Sequence, residues 1–265
     1  MKVLFTGASG SLGREFSSLF NNVRPSSVRF GMEALPVEIV NFSDDVVIHA
    51  SANLNPPDRI AAYSDNVLLS KNIVEHISRA NSAAHIIIIG SMSVLNESGE
   101  LKSEEEMSFY SFSKYCLERS AFSWSKNPMT IVRFSTLFTC DPQVDGLSSV
   151  VFKASRDGKV TINCSKRDFV PIDISCESLY RVCCDEKYYG KIVNICSGVQ
   201  TNMQDIGRFL SEKFGTKITY KKSRKKDGVC SLFDSRDESN ICGQDFDIYD
   251  RIESYYKKLK GTNNG

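Results

Sequence analysis

Short runs that are apolar at every position, separated by longer amphipathic stretches, constrain the fold of this chain most. Continuous apolar runs predict strands that are buried on both faces, as in a parallel sheet. One intervening stretch places Leu12, Phe16 and Leu19 on a single helical face. This alternation predicts an α/β fold built on a doubly wound parallel sheet. The five runs are Val3–Phe5, Val46–Ile48, Ile86–Ile89, Ile131–Val132 and Ile192–Val193.

The composition excludes several classes of partner. Among the 265 residues, 33 Lys and Arg balance 32 Asp and Glu, and the net charge of +1 argues against a nucleic-acid-binding protein. No apolar run approaches the ~18 residues that a membrane span needs, so we expect no membrane partner. Nine cysteines without a Cys-x-x-Cys pair, together with three scattered histidines, predict reduced thiols, a cytoplasmic location and no metal site.

A glycine-rich segment, Thr6–Gly13, lies between the first predicted strand and the first predicted helix. Its glycines, Gly7, Gly10 and Gly13, allow the backbone to turn tightly and to approach a pyrophosphate closely. The unpaired N–H groups at the start of the helix attract the negative charge of such a group. The segment therefore predicts a phosphate-binding turn. The alternative is an ordinary tight turn between a strand and a helix.

A serine, a tyrosine and a lysine predict a catalytic site. Tyr110 and Lys114 are four residues apart at the start of a predicted helix, so their side chains share one face. A neighbouring ammonium favours the phenolate, and we therefore expect a lowered pKa for Tyr110, as a general base requires. Ser91 follows the buried strand Ile86–Ile89, at the carboxyl edge where α/β sheets bind ligands. The alternative is an exposed tyrosine and lysine on a surface helix.

Taken together, these segments resemble the extended short-chain dehydrogenase/reductase family, in particular its NAD-dependent epimerase/dehydratase branch, which modifies nucleotide sugars. The resemblance covers nearly the whole chain. Besides the glycine loop, Ser91, Tyr110 and Lys114, the matching segments are Asp45–Ala52, Asn66-Val67, Glu118, Arg133-Phe134, Arg167–Asp173 and Asn194–Gly198.

The resemblance implies a role for each matching residue. Tyr110 would be the general base for a sugar hydroxyl, Lys114 would hold the nicotinamide ribose, and Ser91 would orient the hydroxyl. The arginines match family residues that bind the substrate diphosphate, and guanidinium forks suit phosphate well. The residues implied to contact the substrate are Ser91, Thr136, Arg167 and Arg224. Those implied to line the NAD or NADP site are Gly7, Gly10, Ser11, Leu12, Gly13, Ala50, Asn66, Tyr110, Lys114 and Phe134.

The choice between NAD and NADP stays open in the sequence. NAD preference normally depends on an acidic residue near the end of the second strand, about 20 residues after the glycine loop. Glu33 lies near that distance, but the predicted second strand, Val28–Phe30, ends without an acid. Arg29 could instead contact a 2′-phosphate. The region between Gly13 and Val46 is also shorter than in the family, and we expect its flanking helices to be trimmed or missing.

The reaction class is narrowed by the residues that follow Ser91. Family dehydratases carry an acid pair where this chain has Met92 and Ser93, which argues against 4,6-dehydration. The remaining reactions are epimerisation by transient oxidation of a sugar carbon, and reduction of a keto sugar. Surface-polysaccharide precursors are the products that the resemblance implies. A non-catalytic NAD(P)-binding sensor or scaffold is the alternative outside enzymes.

The domain organisation follows from the same resemblance. We expect residues 1–165 to form an NAD(P)-binding Rossmann core that carries the Ser/Tyr/Lys site. Residues 166–260 would form mostly a substrate-binding lobe, with one or two strands returning to the core sheet, and residues 261–265 a disordered tail. The helices after Asn66 and Tyr110 would form the interface of a homodimer.

Overall fold

A computed structural model describes residues 1–26, 39, 42–96, 98–141, 146–222, 240–242 and 246–262. Within these residues, seven parallel strands form the central sheet, in the order β12-β9-β5-β4-β3-β1-β2. Each of the five predicted apolar runs lies in one of these strands. The strands are β1 Val3–Thr6, β2 Val23–Ser26, β3 Val46–His49, β4 His85–Ile89, β5 Met129–Phe134, β9 Ile192–Cys196 and β12 Asn240–Cys242.

Helices cover both faces of this sheet, which confirms the doubly wound α/β fold. Successive strand residues point to opposite faces, so Phe5 packs with Phe16 in one core while Leu4 packs with Ile73 in the other. A π-helical turn, Ser64–Leu68, joins α2 to α3. The helices are α1 Ser11–Leu19, α2 Arg59–Tyr63, α3 Leu69–Ala80, α4 Phe109–Ser120, α5 Leu147–Asp157, α6 Ile172–Cys184, α7 Met203–Phe214 and α8 Ile248–Thr262.

The second strand lies earlier in the chain than predicted. β2 occupies Val23–Ser26, whereas the predicted strand Val28–Phe30 falls outside the described residues, as do Arg29 and Glu33. β2 is at the edge of the described sheet, a position that tolerates Pro25 because proline cannot donate a ladder hydrogen bond. The strand contains no continuous apolar run, and the hydrophobic pattern therefore gave no signal for it.

A smaller lobe has a hydrophobic core of its own. Phe138, Val151, Ile206, Ile252 and Tyr255 are all buried in it. This core includes Phe138, so the lobe starts before the predicted domain boundary at residue 166. The reason is that α5 and the strands around it contribute side chains to the same core. Its strands form two small sheets: β6 Thr136–Phe138, β8 Lys166–Pro171 and β10 Gln200–Asn202 in one, and β7 Lys159–Cys164 and β11 Lys217–Lys222 in the other.

The chain passes repeatedly between the lobe and the central sheet. β9 pairs with β5, and β12 then pairs with β9 at the far edge of the sheet. The last helix, α8, ends at Thr262, two residues into the segment 261–265 that was predicted as a tail, and the residues beyond it are not described. None of the described helices combines the length and the apolar character required to cross a bilayer.

Candidate functional site

The three glycines of the loop after β1 have different neighbours. Gly7 has a φ of +76°, and a Cβ on it would lie 2.9 Å from the carbonyl carbon of Ala50. A Cβ on Gly13 would lie 2.5 Å from the Cα of Ala8, so α1 packs on the loop only because residue 13 is glycine. Among the described atoms, a Cβ on Gly10 would meet only the carbonyl oxygen of Gly7, at 3.3 Å. The space beside Gly10 is therefore open to a ligand.

The N-terminus of α1 lacks a capping side chain and an acidic residue in its first turn. Ser11 Oγ donates to Asp141 at 3.2 Å, and Arg14 forms an ion pair with the same carboxylate. Leu12 lies in the same turn and packs partly on the core. Because Arg14 neutralises Asp141, the positive end of the helix dipole stays available to a phosphate.

Ala50 and Phe134 end neighbouring segments at the carboxyl edge of the sheet. Ala50 directly follows β3, and its N–H donates to the Thr6 carbonyl at 3.2 Å. Phe134 is the last residue of β5 and is buried in the core beneath that edge. Ala50 is half-buried beside the glycine loop, a position compatible with its implied contact to a cofactor.

Asn66 is buried away from solvent and bonded entirely to protein groups. Its Oδ1 accepts the Asn53 N–H at 2.7 Å, and its Nδ2 donates to the Asn53 carbonyl and to Ser113 Oγ, at 3.0 and 2.9 Å. The side chain is 1% exposed. Asn66 therefore fixes the loop after β3 against α4. Any effect of Asn66 on a bound cofactor would be transmitted by that loop. The π-helical turn that carries it is a feature often found at functional sites.

The structure brings Ser91, Tyr110 and Lys114 together. Ser91 lies two residues beyond β4, while Tyr110 and Lys114 lie one turn apart near the start of α4. The Ser91 hydroxyl is hydrogen-bonded to the Tyr110 phenol. The Lys114 ammonium lies 5.8 Å from the centroid of the Tyr110 ring. The three groups thus converge at the carboxyl edge of β4.

The predicted lowering of the Tyr110 pKa is wrong. Burial raises the pKa of this phenol to about 12, against the hydrogen bond from Ser91, while the charge of Glu118 raises it further. Lys114 does not contribute to this shift. Its ammonium instead donates to the Ile89 carbonyl at 2.6 Å. Burial lowers the pKa of Lys114 to about 8, with Glu118 opposing that shift.

A buried ion pair, for which the sequence gave no role, supports these groups. Glu118 accepts two hydrogen bonds from Arg133, at 3.0 and 2.6 Å, and one from the Ser91 N–H at 3.2 Å. A Cβ on Gly90 would lie 2.4 Å from the same carboxylate, so the strand end passes directly over it. The sequence signal was the repeat of four residues from Tyr110 through Lys114 to Glu118, which places all three on one helical face.

Of the remaining residues predicted to contact the substrate, the structure describes Thr136 and Arg167 but not Arg224. Thr136 opens β6 and Arg167 lies in the paired strand β8, and both are half-buried. Asp168, beside Arg167, accepts the Ser197 and Gly198 N–H groups at 2.9 and 2.8 Å and so fixes the loop after β9. The other predicted arginine, Arg224, lies outside the described residues.

Metal ligands are not assembled in the part of the chain that the structure describes. There, no three His, Cys, Asp or Glu side chains are grouped so that they could hold an ion.

Comparison with known proteins identifies the fold. No protein-family model and no curated protein sequence matches this chain. Solved structures match along its whole length. MoeE5, solved with UDP-glucuronic acid and NAD, is 17% identical with a TM-score of 0.78 over 99% of this chain and 100% of that one. The chain has the fold of a nucleotide-sugar epimerase.

Two further structures support this statement. UDP-glucuronic acid 4-epimerase from Bacillus cereus, solved with UDP-glucuronic acid and NAD, is 18% identical with a TM-score of 0.74. RMD from Pseudomonas aeruginosa, solved with NADPH, is 15% identical with a TM-score of 0.80. Each comparison covers 99% of this chain and 100% of the other. The fold implied by the resemblance to the extended short-chain dehydrogenase/reductases is thereby confirmed.

Proposed function

We propose that this chain is an NAD(P)-dependent oxidoreductase of the epimerase type that acts on a nucleotide sugar. The observation that carries the proposal is the convergence of Ser91, Tyr110 and Lys114 beside an open glycine loop at one edge of the sheet. That edge is where doubly wound folds bind their ligands. The similar structures that contain UDP-glucuronic acid and NAD support the proposed ligand classes.

The residues around the glycine loop fit a dinucleotide. The open space beside Gly10 and the uncapped start of α1 suit a pyrophosphate, and Ala50 and Lys114 would line the groove that continues from it. When bound, the nicotinamide would accept a hydride from the sugar carbon and return it. NADP and NAD both remain in the proposal. The described strand β2 carries no acid, and the residues that directly follow it, where an acid that selects NAD would stand, lie outside the described residues.

Tyr110 and Ser91 would manage the proton of the reacting hydroxyl. Ser91 would hold the sugar oxygen beside the phenol, and the Tyr110 oxygen would take or give the proton. With a pKa of about 12, Tyr110 holds its proton at neutral pH. A protonated phenol is suited to donate to a ketone oxygen. Reduction of a nucleotide-linked keto sugar, which needs only the donating step, is therefore the second candidate function.

Replacement of Tyr110 by Phe tests the proposal. We expect Tyr110→Phe to reduce turnover by about 10²–10⁴-fold, because proton transfer at the reacting oxygen is lost, and to leave cofactor affinity nearly unchanged. Turnover is followed as absorbance near 340 nm with a panel of nucleotide sugars, and cofactor affinity by calorimetry. Tyr115→Phe, one helical turn away and also half-buried, is the matched control and should keep full activity. Equal activity in the two variants would contradict the proposed role.

The same panel separates an enzyme from a sensor. A wild-type protein that binds NAD or NADP but changes none of the nucleotide sugars would support a non-catalytic scaffold instead. Product analysis then distinguishes the two reactions, since an epimerase returns the cofactor to its starting oxidation state and a reductase consumes one cofactor for each product.

A further inference from the structure

A chain of buried polar side chains begins at the carboxyl ends of β1 and β3. Thr6 and His49 are the last residues of these paired strands and lie opposite each other in their register. The Thr6 hydroxyl is 2.7 Å from Nδ1 of His49, and Nε2 of the same ring is 2.8 Å from the Ser70 hydroxyl on α3. All three side chains are at most 2% exposed. The imidazole therefore bridges the strand that leads into the glycine loop and a helix packed on the sheet.

The chain continues from Ser70 to the helix that carries Tyr110. The Ser70 hydroxyl donates to the Asn66 carbonyl at 2.6 Å, and Nδ2 of Asn66 donates to the Ser113 hydroxyl at 2.9 Å. Ser113 in turn donates to the backbone carbonyl of Tyr110 at 2.8 Å. Asn66 and Ser113 are also buried. Five side chains thus connect the residue before Gly7 with the first turn of α4.

The number of protons in this chain determines its direction. Ser70 has one hydroxyl proton and gives it to the Asn66 carbonyl, which can only accept. Its oxygen must therefore accept a proton from Nε2 of His49. A neutral imidazole carries a proton on only one nitrogen, so Nδ1 accepts from the Thr6 hydroxyl. Burial, with the Lys114 charge as the second cause, lowers the pKa of His49 to about 3, which keeps the ring neutral.

We propose that His49, as the tautomer protonated on Nε2, is a positioning residue that sets Tyr110 relative to the bound dinucleotide. This inference rests on the function proposed above. Thr6 leads directly into Gly7, beside the proposed pyrophosphate, and the other end of the chain holds the backbone of Tyr110. A buried network in which every member is hydrogen-bonded rigidifies the elements that it joins. Reacting groups tolerate little displacement, since an error of about 1 Å can cost about a hundredfold in rate.

Substitutions of similar size on either side of His49 test this role. Thr6→Val and Ser70→Ala each remove one hydroxyl of the chain. At saturating cofactor, each should lower kcat roughly tenfold to a hundredfold and change KM for the nucleotide sugar by less than about threefold. The double variant should be little slower than the slower single variant, because its second substitution breaks a chain that is already broken. Thr6→Ser keeps the hydroxyl and should retain most of the activity.

Two buried hydroxyls elsewhere provide matched controls. Thr130 Oγ1, near the start of β5, is 2.8 Å from Nε2 of His85, a second buried imidazole at the amino edge of the sheet. Ser175, on α6, donates to the carbonyl four residues earlier, as Ser70 does on α3. Both side chains are fully buried. Thr130→Val and Ser175→Ala should lower the melting temperature as the test variants do, but they should leave kcat unchanged.

The tautomer of His49 has a readout that does not require turnover. In protein with isotope-labelled histidine, the nitrogen chemical shifts of the ring should show the proton on Nε2 in the wild type. Ser70→Ala removes the acceptor of that proton. The tautomer protonated on Nδ1 should then become populated, with the Thr6 oxygen as its acceptor.

The outcomes distinguish failure of this assignment from failure of the proposed function. An unchanged kcat in both Thr6→Val and Ser70→Ala, or an equal loss in the controls, would reduce the chain to a stabilising element of the fold. A wild-type ring protonated on Nδ1 would overturn the proposed direction of the chain. A wild-type protein that turns over none of the nucleotide sugars would contradict the proposed function and with it the positioning role, while the nitrogen shifts would still report the tautomer.

Discussion

The central-sheet half of the molecule, called the cofactor side below, and the lobe, called the substrate side, differ in whether the protein itself supplies hydrogen-bond and ion-pair partners for their polar groups. On the cofactor side, Glu118 accepts hydrogen bonds from Arg133 and Ser91, and the side-chain amide of Asn66 is hydrogen-bonded to other groups of the protein. On the substrate side, Arg167 is half-buried on β8, and the described residues place no carboxylate within 4.0 Å of its guanidinium. The protein itself supplies the partners of these groups on the cofactor side. The other carries positive charge that suits an incoming anion.

This difference indicates where reaction type and substrate choice are encoded. Groups that hold Ser91, Tyr110 and Lys114 are buried, and their changes should affect stability and catalysis together. Arg167 on the substrate side has no ion-pair partner among the described residues, and its change should affect substrate affinity alone. The four predictions below test this division.

The largest effect should come from the buried ion pair. Arg133→Met leaves the Glu118 carboxylate buried without its partner, which typically costs about 3–5 kcal/mol of unfolding free energy. Both side chains are nearly inaccessible, at 12% and 3% exposure. Urea denaturation measures the loss, and Arg119→Met, at an exposed arginine on the helix that carries Glu118, is the control. If Arg133→Met were as stable as that control, the cofactor side would not depend on internal pairing.

Lys114 should connect stability and activity to pH in opposite directions. Its pKa is lowered from 10.5 to about 8, so between these values the unfolded chain holds a proton that the folded protein has lost. The free energy of unfolding should therefore rise with pH, by about 2 kcal/mol between pH 7 and 9.5 relative to Lys114→Met. Activity that needs the ammonium should instead fall above about pH 8. Urea titrations and rate profiles from pH 7 to 9.5 measure the two effects. If Lys114 were exposed, its pKa would stay near 10.5, and neither the stability nor the rate would change with its charge in this range.

Substitutions in the glycine loop should distinguish an effect on packing from an effect on ligand binding. Gly13→Ala forces a Cβ to within 2.5 Å of backbone and should cost about 1–3 kcal/mol, as overpacking does. Gly10→Ala places its Cβ 3.3 Å from the Gly7 carbonyl oxygen, a milder contact, and should lower the melting temperature less than Gly13→Ala while weakening dinucleotide binding at least tenfold. Thermal melts and calorimetry on both variants provide the test. Normal dinucleotide binding by Gly10→Ala would show that the pyrophosphate lies elsewhere.

The smallest effect on stability should come from the outer surface of the cofactor side. Ile60 and Tyr63 are 82% and 41% exposed on α2, just before Asn66, and Phe109 is 43% exposed at the start of α4, one of the helices expected to form a homodimer. We propose that a second copy covers these side chains. Ile60→Asp should yield a monomer by light scattering with the fold retained. Val199→Asp, at an apolar side chain 64% exposed in the lobe, should leave the dimer intact. A wild-type monomer would contradict the dimer.

The sequence predicted those features that depend on local pattern. Apolar runs such as Ile86–Ile89 identified strands because burial on both faces leaves a continuous signature. The strand Val23–Ser26 was missed because an edge strand need not be apolar. The glycine loop and the helical spacing of Tyr110 and Lys114 were equally visible, since each is set by neighbours a few residues away.

Features that depend on distant contacts were not predictable. The pKa of Tyr110 depends on how deeply α4 is buried, and the spacing to Lys114 contains no information on that depth. The bond between Asn66 and Ser113 joins residues 47 positions apart. Lys102 stands in an acidic, polar segment that carries no motif. Its contact with the Ser93 carbonyl depends on how the loop after β4 folds back on itself.

The return of β9 and β12 to the central sheet also determines how the molecule can come apart. The first 135 residues lack two of the seven described strands, so cutting the chain after β5 would expose the edge of β5 that β9 normally covers. Neither half can be expressed as an independent module. Denaturation should accordingly be a single cooperative event, in which the lobe and the central sheet unfold together.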